Sequence, residues 1–124
     1  MGVSIGSVEL NSVAAGVITG DAMLKAANVN LVAAQPTCPG KFIIIVSGDT
    51  SSVETAVKAG MASGKDKVVD TLMIPSVAPE VIPAIMRTSA PEQSEAVGVI
   101  ETFSLASAII AADYAVKSAA VDLI

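Results

Sequence analysis

The chain has no histidine and no tryptophan, and a single cysteine, Cys38, among its 124 residues. Without histidine it lacks the commonest general base and the commonest metal ligand. One thiol excludes an internal disulfide framework, so any chemistry of Cys38 beyond packing involves a ligand or another chain. Aromatic residues make up only 2%, and seven scattered Lys and Arg are outnumbered by twelve Asp and Glu, for a net charge of −5. Nucleic-acid binders cluster their basic residues and interleave them with stacking rings, so no nucleic-acid partner is expected. Long apolar runs are missing too. A membrane span needs about 18 or more consecutive apolar residues, whereas Phe42–Val46 (FIIIV) has the length of a strand, so no membrane association is expected. No basic stretch leads into an apolar block at the N-terminus. That pattern carries no secretory signal, and a cytoplasmic location is expected.

What the chain has is apolar surface and a repeat. Hydrophobic residues account for 52% and charged residues for 15%, with a mean hydropathy of +0.70. This is greasy for a soluble monomer, so part of the surface is expected to meet other subunits. The segment 4–32 (SIGSVELNSVAAGVITGDAMLKAANVNLV) returns at 96–124 (AVGVIETFSLASAIIAADYAVKSAAVDLI) with a constant offset of 92 residues. Ten of the 29 aligned pairs are identical, among them Glu9/Glu101, Ser12/Ser104, Asp21/Asp113 and Lys25/Lys117. Solenoid repeats run to about 20–50 residues. The longer offset implies tandem copies of one small domain, with a complete unit over 1–87, a linker over 88–95 and the beginning of a second unit over 96–124. A truncated or cleaved chain is the expected explanation.

Val3–Leu10 alternates as a strand. From Ser12, an N-cap type, a helix is expected to bury Val13, Val17, Ala22, Leu24 and Ala27 and to expose Asp21 and Lys25 at i,i+4 spacing. Val29–Ala34 reads as a strand, then Gln35–Lys41 (QPTCPGK) as a stiff loop. Phe42–Val46 reads as a strand covered on both faces. Gly48-Asp49 begins a second helix by ordinary capping, since no phosphate-loop pattern follows. Val68–Ile74 reads as a fourth strand and Pro79–Met86 as a short helix opened by proline. Residues 87–95 are polar, and strand, helix and strand stub are then expected to recur. The fold class is α+β: a four-stranded antiparallel sheet with two helices on one face, a split βαβ order, whose other face needs a cover.

The blocks GDAMLKAANVNLV and IIIVSGDTSSVETAVKAG, in this order around a glycine-containing loop, resemble the bacterial microcompartment shell domain over residues 4 to about 86. The segment 96–124 resembles the start of another such domain. A tandem pair is similar to the trimer-forming class, in which three chains make a pseudohexagonal tile. The cysteine in CPGKF resembles that of class members from propanediol-utilising compartments, which hold an iron–sulfur cluster on the threefold axis. The resemblance implies a structural protein rather than an enzyme. It further implies a homotrimer meeting other shell proteins, a pore loop of Thr37, Pro39, Gly40 and Lys41, and Cys38 as ligand of a cluster shared by three chains, 4Fe–4S in type. Electrons would then cross the shell, with an encapsulated redox enzyme as a further partner. It places Lys25 and Lys117 at tile edges.

Each residue has a plainer alternative. A lone cysteine is usually a small inert hydrophobe. Lysines beside Asp21 and Asp113 suit a solvated helix end. Glu9 and Glu101 lack a nucleophile, base or metal partner, so they are expected to satisfy backbone or cross-subunit donors. The tile could leave Cys38 without metal, its loop lining a pore for a polar metabolite. A split βαβ domain also suits a small-molecule-binding regulatory module.

Overall fold

A computed structural model describes residues 2–90 and 95–124. Four strands form one antiparallel sheet: β1 (Ser4–Leu10), β2 (Asn30–Thr37), β3 (Lys41–Gly48) and β4 (Val68–Ile74), in spatial order β2-β3-β1-β4. The split βαβ order is therefore present, with β1 and β3 at the centre. All seven residues of β1 are buried, including Ser7 and Glu9. Alternation sends Val8 and Leu10 to one face and Ile5 to the other. In β3 it sends Phe42, Ile44 and Val46 against Ile43 and Ile45, which explains why the run FIIIV is apolar throughout.

Helices α1 (Val13–Ala26) and α2 (Thr50–Gly64) cover the Val8 face and close a core containing Met23, Val53 and Ala56. Ser12 caps α1, its hydroxyl accepting from the Ala15 N–H at 3.2 Å. Asp49 caps α2. Hydrogen bonds from the Ser52 hydroxyl, the Ser52 N–H and the Ser51 hydroxyl push its carboxyl down to about 2. Along α2, Lys58 pairs with Glu54 four residues before it at 2.8 Å and lowers the Glu54 pKa.

The expected inner face of α1 holds only for Ala22 and Ala27, which are half-buried, Ala27 at the edge of this core. Val13, Val17 and Leu24 are exposed, and the buried residues are Gly16, Thr19, Gly20 and Met23. The cause is close approach: a Cβ at Gly16 would lie only 2.4 Å from the nearest ring carbon of Phe42. An apolar stripe marks the buried face only when bulk is what the interface needs, and here it needs the lack of it.

The loop expected over Gln35–Lys41 is also shorter than its composition suggests. β2 runs through Pro36 to Thr37, and Lys41 already belongs to β3. Proline is tolerated because β2 is an edge strand, with one row of N–H groups facing outward.

A 3-10 turn at Lys65–Lys67 leads to β4, and α3 (Val81–Ile85) follows it. Of the linker expected over 88–95, residues 91–94 lie outside the described residues. Beyond it the expected strands do not form: neither 96–102 nor 121–124 joins a ladder. In the first unit β1 is a central strand that pairs with β3 and β4. The counterparts of those partners are not within the 124 residues, and alternation alone cannot satisfy a strand's backbone.

Helix α4 (Leu105–Ser118) does form. It packs on the second face of the first unit, where Ala106 and Ile109 join Ile5, Ile43, Leu72 and Val81 in one core. The cover that this face needs comes from the chain's own next segment. Among the described residues no helix is long and apolar enough to cross a membrane.

Candidate functional site

Antiparallel pairing of Thr37 with Lys41 leaves a three-residue turn, Cys38-Pro39-Gly40, at the end of the β2–β3 hairpin. Gly40 takes φ 65°, a left-handed conformation that closes the turn and that glycine adopts without steric cost. The Cys38–Pro39 peptide is cis. Cys38 is exposed and unpaired, at the tip. Of the expected loop residues, the turn brings Pro39 and Gly40 beside Cys38. Thr37 stands half-buried at the end of β2.

Lys41 is a correction to the expected loop. It is only 7% exposed, and its ammonium points into the protein. Lys41 Nζ lies 2.6 Å from Glu9 Oε2 and donates to the Phe103 carbonyl at 3.0 Å, with the Phe103 ring centroid 5.5 Å away. Glu9, fully buried, accepts with its other oxygen from the Ala106 N–H at 3.2 Å. A buried carboxylate is tolerable only when paired and hydrogen-bonded, and both conditions hold. The expectation that Glu9 satisfies a backbone donor is met by Ala106; its matched partner Glu101 is exposed.

Above this pair lies an open recess of about 290 Å³, lined among others by Thr37, Cys38, Lys41, Glu101, Thr102 and Phe103. The Thr37 hydroxyl is buried there without a hydrogen-bond partner among the described residues. Cys38 thus sits on the rim of a recess with a cation at its base. Glu9 and Lys41 do not announce this pairing by composition. The available signal was a carboxylate inside an apolar strand (VEL) and a lysine directly before FIIIV, on strands that turned out to be neighbours.

The two matched lysines are placed differently. Lys25 reaches Asp21 at 2.7 Å on the surface. Lys117 bonds Asp113 at 2.7 Å and also donates to the Ser76 carbonyl of the first unit at 3.0 Å. Asp113 Oδ1 in turn accepts from the Ala78 N–H at 2.8 Å, and Ser104 Oγ donates to Asp70. The start, middle and end of α4 are therefore each tied to the first unit by a polar contact. Among the described residues no three Cys, His, Asp or Glu side chains gather as a metal-holding group.

Comparison with known proteins agrees with this architecture. The family model described as BMC domain matches residues 4–77 and again 96–124. The bacterial microcompartment shell protein PduT of Citrobacter freundii is 44% identical over 124 residues, covering 100% of this chain and 67% of that protein. The carboxysome shell protein CcmK2 of Thermosynechococcus vestitus is 40% identical over 65 residues, 52% of this chain and 64% of that one. A crystal structure of a microcompartments protein from Desulfitobacterium hafniense DCB superposes with a TM-score of 0.91 at 46% identity, over 100% of this chain and 69% of that one. The complete unit, the partial copy and the placement of α4 all fall within that superposition, and the chain belongs to the BMC-domain family of bacterial microcompartment shell proteins.

Proposed function

We propose that the protein is a structural tile of a microcompartment shell, working as a homotrimer beside other shell proteins, with the Cys38 turn of each chain at the central pore. The observation that carries this reading is the exposed thiol on a hairpin tip whose base is pinned by the buried Glu9–Lys41 pair. A stiff base and a single thiol per chain suit a ligand held jointly by several chains. The tile has no catalytic role in this reading, and the boundaries 1–87 and 96–124 mark a complete and a partial domain.

The donor set fits an iron–sulfur cluster as one part of a shared site. Cys38 offers one thiolate, while Thr37, Pro39 and Gly40 offer none. Clusters of the 4Fe–4S type take four thiolate ligands; three chains would supply three. Cys38 would hold the group, and Lys41 and Glu9 would keep the hairpin from moving. When bound, such a cluster supplies a one-electron couple, which suits electron transfer across a shell toward an enclosed redox enzyme. Lys25 and Lys117, both partly exposed, suit the tile edges. The recess lined by Thr37 and Lys41 favours a second reading, the same tile with a pore for a polar metabolite and no cluster.

Anaerobic reconstitution with iron and sulfide separates the two. The cluster reading expects about one cluster per three chains and none in Cys38→Ser, with the oligomer unchanged. Iron retained in Cys38→Ser, or none taken up by the native protein, leaves the metabolite pore. A discrete trimer that binds a small molecule and never forms sheets in electron micrographs would favour a regulatory module instead.

A further inference from the structure

We infer that the second copy is part of the thiol site: Phe103 and the first turn of α4 hold Lys41, and Lys41 positions the Cys38 turn, which keeps one place only while α4 is docked. The inference takes from the shell-tile reading only that the Cys38 turn is the working part, and it adds what holds that turn.

The tip has little to hold it on its own. β2 is an edge strand, so the hairpin is paired through β3 alone. Cys38, Pro39 and Gly40 are all exposed, and the Thr37 hydroxyl is buried without a hydrogen-bond partner among the described residues. Lys41 stands directly across from Thr37 and closes the turn. Alternation along β3 puts its side chain on the face of Ile43 and Ile45, the one that α4 covers. In β1, Glu9 is paired with Ile43, which makes Lys41 its diagonal neighbour, within reach of a long side chain.

The second copy completes this pair. Lys41 Nζ donates to the Phe103 carbonyl at 3.0 Å and lies 2.6 Å from Glu9 Oε2, while Glu9 Oε1 accepts from the Ala106 N–H at 3.2 Å. Phe103 and Ala106 flank Ser104, the N-cap of α4. Both groups belong to the backbone, so their positions are fixed by the helix start and not by a side-chain rotamer. With α4 in place the two charges are buried. With α4 undocked they would lie on an uncovered sheet face, where an ion pair in water holds its partners loosely.

Elsewhere the turn and the second copy stand apart. Thr37 and Cys38 line the recess of about 290 Å³ together with residues 100–105. Among the described residues, the bond from Lys41 to Phe103 is the one hydrogen bond between the hairpin and the second copy. The other ties of α4, made by Ser104, Asp113 and Lys117, end on Asp70, Ala78 and Ser76, in β4 or the turn after it. That edge of the sheet is opposite β2. A disturbance at those ties therefore has Lys41 as its polar route to the thiol turn.

Two measurements test this. Cys38 is the one thiol of the chain, so a spin label on it, diluted with unlabelled chain, reports on the turn alone. Glu9→Leu combined with Lys41→Met removes the brace without leaving a buried charge unpaired. This double variant should unfold at higher denaturant than Lys41→Met, yet its label should tumble several-fold faster than on the native chain. A label equally slow on both overturns the inference. For the second copy's part, lysines are acetylated with acetic anhydride and counted by mass spectrometry. Lys41, which reacts only when the brace opens, should be modified roughly tenfold or more slowly than the exposed Lys25. Asp113→Ala, two turns along α4 from Ala106, should raise the Lys41 rate several-fold and leave Lys25 unchanged. Asp49→Ala, which uncaps α2 on the other sheet face, should raise neither. Lys41 as reactive as Lys25, or equal effects of the two substitutions, overturns the inference even where the double variant does not fold. Either refutation leaves the shell-tile reading standing, since that reading needs Cys38 at the pore and not a brace from the second copy.

Discussion

Helices α1 and α4 are the same helix written twice, and they present opposite faces to the protein. Helix α1 buries Gly16, Thr19, Gly20 and Met23 on its own sheet and exposes Ala14, Val17 and Asp21. Helix α4 buries Ala106, Ile109 and Asp113 on the first unit's other sheet face. Its inward residues Ala108, Ala112 and Ala115 line an open groove of about 440 Å³ with Val99, Ile100 and Leu123. Periodicity therefore fixes that a segment is a helix, while the surface it meets decides which stripe is buried. Each helix has two usable faces, and the chain satisfies a different one in each copy.

The largest effect is expected where the two units are pinned together. Lys41→Met leaves the Glu9 carboxylate buried without its cation, and breaking such a pair costs about 3–5 kcal/mol. Denaturant unfolding should report that loss. Glu9→Leu combined with Lys41→Met should recover part of it, the remainder reflecting the unpaired Ala106 N–H.

The two matched aliphatic residues contrast most directly. Ile109→Ala removes a side chain that is 4% exposed and should cost about 2–5 kcal/mol. Val17→Ala, at the matching position on α1, should stay within about 0.5 kcal/mol in the monomer. Equal effects would show that the two helices are not used differently.

Smaller differences are expected on the inward faces. Gly16→Ala pushes a methyl group into the Phe42 ring and should cost about 1–3 kcal/mol through overpacking. Ala108→Gly faces the open groove and should cost only the helix-propensity difference, about 1 kcal/mol. Melting curves of the two variants would rank them.

Acid should separate the helices by their caps. Asp49 is held at about 2 against an ordinary value of 3.8. Because the folded value is the lower one, its contribution is present above pH 4 and is lost as pH falls toward 2. Helices α1 and α4 are capped by the hydroxyls of Ser12 and Ser104, which do not titrate. Between pH 4 and 2, Asp49→Ala should flatten the part of the stability profile that belongs to α2. A profile unchanged by the substitution would remove the cap from the account.

The sheet was legible in the sequence because strands carry their own record: FIIIV, VVDTLMI and the alternation of VSIGSVEL each match a ladder. The first-unit helices were legible from caps and length, with Ser12 and Asp49 both in place. The inner face of α1 was not, because glycine contacts leave no apolar stripe to read. The strand expected over 96–102 failed for a different reason: a central strand is specified by its neighbours, and alternation in Val97, Val99 and Glu101 cannot supply them. At the candidate site, Cys38 was singled out by rarity and by its Pro-Gly turn. The burial of Lys41 was hidden, because whether a lysine before an apolar run faces water or a carboxylate depends on pairing across strands 30 or more residues apart.

Amide hydrogen exchange tests the central claim, that α4 docks by its outward face while α1 leaves that face open. In dilute protein the Ala106 and Ala78 N–H groups, bonded to Glu9 and Asp113, should exchange slowly, and the Ala14 N–H at the position matching Ala106 should exchange fast. Ala106 and Ala78 exchanging as fast as Ala14 would contradict the account, since the second copy would then not be held on the first.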